Sequence, residues 1–258
     1  MSFPNYPDKH EFEPILSAED IVAYRKRLGR MPDIAFPFGA LFCLDRGLPE
    51  RMRWHIPVKR AGSMNADIHV TRRTKQKVAI LTNFGGGAAI VAELAEELVV
   101  MGAKKLILMT WAGTLQPHLK AGDIVVCNRA LRDDGTSQHY LPPAKYIDGD
   151  ACLADQLVGA IHSHGGECAK GVTWTTAAPY RETREEVRQY QSEGVDVVEM
   201  EAAGLFTIGQ IRKIPAAAVV VVMDSLGSLK WQVPDTLDNI QRSLKLVYAA
   251  CVETLARD

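Results

Sequence analysis

The chain has 258 residues, enough to bury one large core, and its 47% hydrophobic and 24% charged content is that of a folded globular protein. A formal net charge of −1 provides no basic field for nucleic acid and no acidic tail. Cys43, Cys127, Cys152, Cys168 and Cys251 are odd in number and widely spaced, which argues against a disulfide framework and a zinc site and suits a reducing compartment.

The N-terminus shows no apolar leader, and no apolar run approaches the ~18 residues of a membrane span, so a cytoplasmic chain without membrane contact is expected. Residues 1–32 read as an N-terminal extension with one short helix, starting at Ser17 and stopped by Gly29 and Pro32, with Ile21, Tyr24 and Leu28 on one face. Residues 33–258 read as one domain. Its first strand is expected over Ile34 to Phe38, followed by a basic segment from Arg46 to Arg60. Ala66 to Val70 and Lys77 to Thr82 read as a strand pair. The second leads through Asn83-Phe84-Gly85-Gly86-Gly87 into a helix with Ile90, Val91, Leu94 and Leu98 on one stripe.

Lys104 to Trp111 and Asp123 to Cys127 read as strands, Ala151 to His164 as a helix, and Ala169 to Thr175 as a strand. The run between them, Arg132-Asp133-Asp134-Gly135-Thr136-Ser137, has the chemistry of a solvated turn. Thr183 and Glu186 have capping-box spacing and predict a helix start. Val195 to Val198 is a short apolar strand entering Glu199-Met200-Glu201 and a helix from Ala202 to Gln210. Pro215 to Asp224 is the most hydrophobic strand, expected mid-sheet, and the last helix spans about Thr236 to Leu255 with Leu237, Ile240, Leu244, Val247 and Cys251 on one face. Alternating strands and helices predict an α/β fold with a mostly parallel sheet.

Two acids at a strand-to-helix junction are costly to bury without partners, and strand carboxyl ends are where such sheets bind ligands. Glu199 and Glu201, with Met200 between them, therefore point to a site for hydroxyl groups, although a lone acid there would also suit a helix first turn. Asp224 ends an apolar strand, where a carboxyl can be tuned to act as a general acid, or can simply cap a turn. The glycine loop with Gly85 and Gly86 offers bare amides at a helix start, an anion site or a tight turn, and matches neither GxGxxG nor GxxxxGKS. Tyr180 and Arg181 precede a helix and could stack on and bond to a planar ligand, or lie on the surface. His139, His162 and His164 form no ligand constellation, so no metal is assigned.

The run Val198 to Phe206 resembles the signature of the nucleoside phosphorylase superfamily, which includes uridine phosphorylases, hexameric-type purine nucleoside phosphorylases and nucleosidases. The resemblance extends through Ala112 to Pro117, Lys120 to Val125, Arg132 to Ser137 and Asp224-Ser225, covering roughly residues 33–256 in consistent order. It implies a single-domain, three-layer fold with a twisted mixed sheet flanked by helices, and homo-oligomers built from dimers, such as a dimer or trimer of dimers. It also implies cleavage of a nucleoside's N-glycosidic bond with no cofactor beyond phosphate as co-substrate. By the same resemblance Glu201 holds the ribose hydroxyls, Met200 packs under the sugar and Glu199 shapes that site. Asp224 serves the leaving base, with Tyr180, Arg181 and Thr183 facing it.

The chain departs from that family at the phosphate. Leu108 stands where an arginine is expected and Trp111 where a hydroxyl is, and the Gly-Asp-Pro-x-Arg motif is missing. Gly85-Gly86-Gly87 replaces the usual Gly-Met-Gly-x-Pro-Ser. A phosphate dianion without arginine loses its bidentate bonds. The anion or water site is therefore expected among Gly85, Gly86, Thr110, Trp111 and one of Arg46 or Arg60, the latter reaching it across a subunit boundary. Three readings stay open: a phosphorylase with a rebuilt phosphate site, a nucleosidase using water, and a weakened member that only binds a nucleoside-like ligand.

Overall fold

The computed structural model describes residues 4–35, 38–72, 74 and 77–257. Helix α1 (Ala18–Arg27) opens the chain with a reciprocal Ser17–Asp20 capping box and is tied to the body by Arg25–Glu97 at 3.3 Å and Glu19–Arg212 at 2.8 Å. Strand β1 (Phe38–Cys43) lies later than the expected Ile34 to Phe38; Ile34 and Ala35 carry no strand, and Phe36 and Pro37 fall outside the described residues. Pairing rather than local sequence sets its position, with Gly39 to Phe42 opposite Val78 to Leu81 of β4 (Val78–Thr82).

Between them come α2 (Leu48–Arg51), β2 (Val58–Ser63) and β3 (Asp67–Thr71). The glycine loop then enters α3 (Ala88–Val100), followed by β5 (Ala103–Thr114) and β6 (Ile124–Asp133). The second half contains β7 (Tyr146–Asp148), α4 (Ala151–Ser163), β8 (Ala169–Thr176), α5 (Arg184–Ser192), β9 (Val197–Glu199), α6 (Ala202–Arg212), β10 (Ala216–Ser225) and α7 (Asp238–Ala256).

The sheet runs β10-β6-β8-β9-β5-β1-β4-β3-β2, and β10 also pairs with β5, so one part of the sheet closes on itself. β10 therefore has neighbours on both sides, as its unbroken hydrophobic sequence requires. The sheet is mixed rather than mostly parallel. β1–β4, β1–β5, β5–β10, β6–β8 and β8–β9 are parallel, whereas β2–β3, β3–β4, β5–β9, β6–β7 and β6–β10 are antiparallel.

Helices cover both faces. Even-numbered β10 residues such as Ala218, Val220 and Val222 pack with α3 and α6, and odd-numbered Ala217, Val219 and Val221 pack with α4 and α7. Helix α6 is buried on all sides from Ala202 to Gly209. It approaches α3 so closely that a Cβ on Gly204 would lie 2.8 Å from the Ala88 carbonyl oxygen. Leu237, expected on the buried face of the last helix, precedes α7 and is exposed. The Arg132–Ser137 turn is not solvated either. Arg132, Asp134 and Ser137 are buried, with Arg132 donating to the Ser137 hydroxyl at 3.0 Å and Asp134 accepting from it at 2.6 Å.

Candidate active site

β9 runs antiparallel to β5 with Val198 opposite Gly113, so the chain leaving β9 travels back along β5 toward Thr110. This brings both glutamates to one place. Glu199 is buried with its carboxylate fully engaged. Oε1 accepts from Thr173 Oγ1 at 3.1 Å and Thr175 Oγ1 at 2.5 Å, and Oε2 accepts from the amides of Glu201 at 2.6 Å and Ala202 at 2.7 Å. It thus holds the first turn of α6 and fixes the backbone that presents its neighbour.

Glu201 is 2% exposed; Oε1 accepts from the Gly87 amide at 2.7 Å and Oε2 from Thr110 Oγ1 at 3.2 Å. The amide at the start of α3, which the sequence offered to an external anion, is thereby occupied by the protein's own carboxylate. Burial raises Glu201 above the ordinary carboxylate range, and burial together with the Glu201 charge pushes Glu199 up to about 7. Charge at these positions is costly, and a ligand that donates hydroxyl hydrogens offsets that cost.

The two glutamates open into a cleft of about 680 Å³. Thr110, Trp111, Ala112 and Gly113 of β5 form one wall, Met200 and Val198 another, and Met223, Asp224, Leu226 and Trp231 the far end. β10 carries Asp224 there through an irregularity in its register: Val222 pairs with Ala112 and Asp224 with Gly113, which leaves Met223 as the extra residue. Asp224 Oδ2 accepts from the Trp231 indole N–H at 3.0 Å. Trp231 is held there by paired Ser225–Gln232 backbone bonds of 2.9 Å.

A second cavity of about 470 Å³ adjoins the first and shares Leu44 and Trp111 with it. Arg46, Asn83, Phe84, Gly85 and Gly86 line it. Arg46 is exposed and pairs with no acid among the described residues, whereas neighbouring Asp45 is engaged by Arg51 and by the Gly47 amide at 3.1 Å.

Of the residues singled out from sequence, Glu199, Met200, Glu201, Asp224, Tyr180, Thr110 and Trp111 meet in the larger cleft, and Gly85, Gly86 and Arg46 in the smaller. Three do not. Arg60 sits on β2 at the sheet edge and pairs with Asp67 at 3.0 Å, lining neither cavity of its own chain, whereas the expected contact was with a neighbouring subunit's site. Arg181 is exposed outside the cleft, and Thr183 Oγ1 bonds Glu186 at 2.7 Å within the capping box of α5. Sequence reasoning passed over Glu182, Leu226 and Trp231, all of which line the cleft. Burial, then the carboxyls of Asp224 and Glu186, push Glu182 up to about 7. Among the described residues no group of His, Cys, Asp or Glu is arranged to hold a metal ion, and no helix is long and apolar enough to cross a membrane.

The model of the phosphorylase superfamily matches residues 54–256. The purine nucleoside phosphorylase of Plasmodium vivax is 32% identical over 187 residues, covering 69% of this chain and 74% of that one. The uridine phosphorylase of Salmonella typhimurium is 28% identical over 163 residues, covering 58% and 64%. The crystal structure of Toxoplasma gondii purine nucleoside phosphorylase in complex with immucillin-H superimposes with a TM-score of 0.74 at 21% identity over 86% of this chain and 92% of that one. Uridine phosphorylase from Vibrio fischeri gives 0.72 at 19% identity over 84% and 90%. The fold is that of these enzymes, and the chain belongs to the phosphorylase superfamily.

Proposed function

We propose that this chain cleaves the N-glycosidic bond of a nucleoside by phosphorolysis, yielding free base and pentose 1-phosphate. The observation that carries the reading is a pair of adjoining cavities that share Leu44 and Trp111: the larger holds Glu201, whose carboxylate already accepts from the Thr110 hydroxyl, and a second carboxyl, Asp224, and the smaller is lined by glycines beside Arg46. The relatives named purine nucleoside phosphorylase and uridine phosphorylase support the reaction class.

In this reading the sugar lies over Met200 with its hydroxyls donating to Glu201, and the base extends toward Asp224 and Tyr180. A phosphate oxygen attacks the anomeric carbon from the Arg46 side. The C–N bond breaks with its electron pair leaving on the base, and Asp224 donates to that base. As the sugar becomes oxocarbenium-like, buried carboxylates favour its positive charge, and a positioned general acid contributes about 10²–10⁴-fold. The chain is also proposed to form a homo-oligomer, in keeping with exposed Ile15, Leu16, Tyr24 and Leu28 on its N-terminal segment.

Hydrolysis is the second reading, and one set of observations favours it. Leu108 is fully buried in the core where an arginine was expected, the Gly87 amide is taken by Glu201, and no arginine among the described residues lines the larger cleft. Base release from a panel of purine and pyrimidine nucleosides, with and without phosphate, separates the two. Release that requires phosphate supports phosphorolysis; equal rates without it support hydrolysis.

A further inference from the structure

Among the described residues, the larger cleft is lined by Glu182, Glu199, Glu201 and Asp224, and by no arginine, lysine, histidine, asparagine or glutamine. Three of the four acids have partners in the protein. Glu199 accepts four hydrogen bonds, Glu201 is held by Gly87 and Thr110, and Asp224 by Trp231. Glu182 differs: its carboxyl makes no hydrogen bond or ion pair with any described residue, although it is only partly exposed.

Its position is fixed nonetheless. Glu182 directly precedes Thr183, whose amide and hydroxyl bond the Glu186 carboxylate at 3.0 and 2.7 Å, and the Glu182 amide reaches the Pro179 carbonyl at 3.5 Å. It therefore stands at a rigid loop-to-helix junction beside Pro179 and Tyr180, near enough to Asp224 for the two charges to interact.

We propose that Glu182 selects the base, accepting a hydrogen bond from an exocyclic amino group, so that the preferred nucleosides carry an amino-bearing base rather than one edged with carbonyl oxygens. This rests on the glycosidic-bond reading above. To the ionised Glu182 carboxylate a carbonyl edge presents another acceptor and leaves it unpaired, whereas an amino group satisfies it. Sites that use a hydrogen bond to a substrate group reject analogues lacking that group far more strongly than apolar pockets reject a missing methylene. Burial and the neighbouring acids Asp224 and Glu186, which hold the Glu182 proton up to about 7, are the cost that such a donor removes.

The test compares adenosine with inosine and cytidine with uridine, in which a carbonyl replaces the amino group, and guanosine with inosine, in which a hydrogen does. In at least one pair the wild-type protein is expected to favour the amino-bearing member at least tenfold in kcat/KM. Glu182→Ala should collapse that ratio to within about threefold of unity, and Glu182→Gln should move it, in the two amino-versus-carbonyl pairs, toward the carbonyl-edged member by supplying an amide donor. Circular dichroism and Tm establish that each variant is folded. Equal loss for both members of the pair, or an unchanged ratio, would overturn the assignment. Absence of turnover in the wild type would instead overturn the reaction, and the same ratios taken from Kd by calorimetry then judge Glu182 by the same criterion.

Discussion

Asp224 Oδ1 lies 2.7 Å from the point a Cβ would occupy on Gly113, its register partner across β5 and β10. Only a residue without a side chain lets the Asp224 carboxyl lie against β5 and still face the cleft. Gly113→Ala should therefore displace the carboxyl. With Asp224 in its proposed role the loss falls on geometry at the reacting centre, so kcat should drop about 10²-fold, with destabilisation of about 1–3 kcal/mol from overpacking. Steady-state kinetics beside a denaturant titration checks both.

The Trp231 indole N–H holds Asp224 Oδ2 at 3.0 Å, and its ring lines the same cleft. Trp231→Phe keeps an aromatic wall and removes the donor. A hydrogen bond that orients a side chain is worth about 0.5–1.5 kcal/mol, so kcat should fall by up to roughly tenfold with a smaller change in KM. An unchanged kcat would show that Trp231 acts through packing alone.

Thr110 Oγ1 donates to Glu201 Oε2 at 3.2 Å and points to a test of the sugar subsite. Thr110→Val leaves a buried carboxylate oxygen short of a donor and should raise KM for ribonucleosides several-fold. Glu201→Gln should cost more, and should narrow the difference between ribo- and 2′-deoxyribonucleosides, because the proposed sugar site then offers one neutral amide oxygen in place of a carboxylate.

The paired glutamates also predict a pH dependence of stability. Glu199 is raised from the ordinary 4.5 to about 7 in the folded state, chiefly by burial and next by Glu201. The folded state thus binds the proton more tightly than the unfolded chain. This contribution to stability is complete below 4.5 and is lost as the pH rises through about 7. Tm should fall over that window for the wild type, and Glu199→Gln should show a shallower fall from a lower starting Tm. Differential scanning calorimetry across the window reads both.

What the sequence made legible were features with local physical causes. The Ser17 and Thr183 caps, the interior place of β10 and the buried Glu199–Glu201 pair follow from capping chemistry, an unbroken apolar run and the cost of buried charge. Features created by pairing were not legible. β2 (Val58–Ser63) has no alternating pattern and exists because β3 pairs with it, and β6 runs on to Asp133 because β8 pairs with it as far as Thr176. That extension buries Arg132, which the Asp-Asp-Gly sequence had suggested was solvated. Glu182 left one usable sign: if Thr183 caps α5, its hydroxyl is occupied, and the preceding residue faces the cleft instead.

Among the described residues Arg46 is the only cationic side chain lining the two cavities, so within this chain the proposed phosphate site draws on it. Arg46→Gln should raise KM for phosphate about 10–100-fold, the loss expected for one charge-assisted contact, while KM for the nucleoside changes little. The most direct measurement of the whole account is ³¹P NMR of the wild-type protein with a cleaved nucleoside and inorganic phosphate, alongside a phosphate-free control. A pentose 1-phosphate resonance should grow in step with free base, with no base formed in the control. Base and free pentose forming at equal rates in both samples would contradict it.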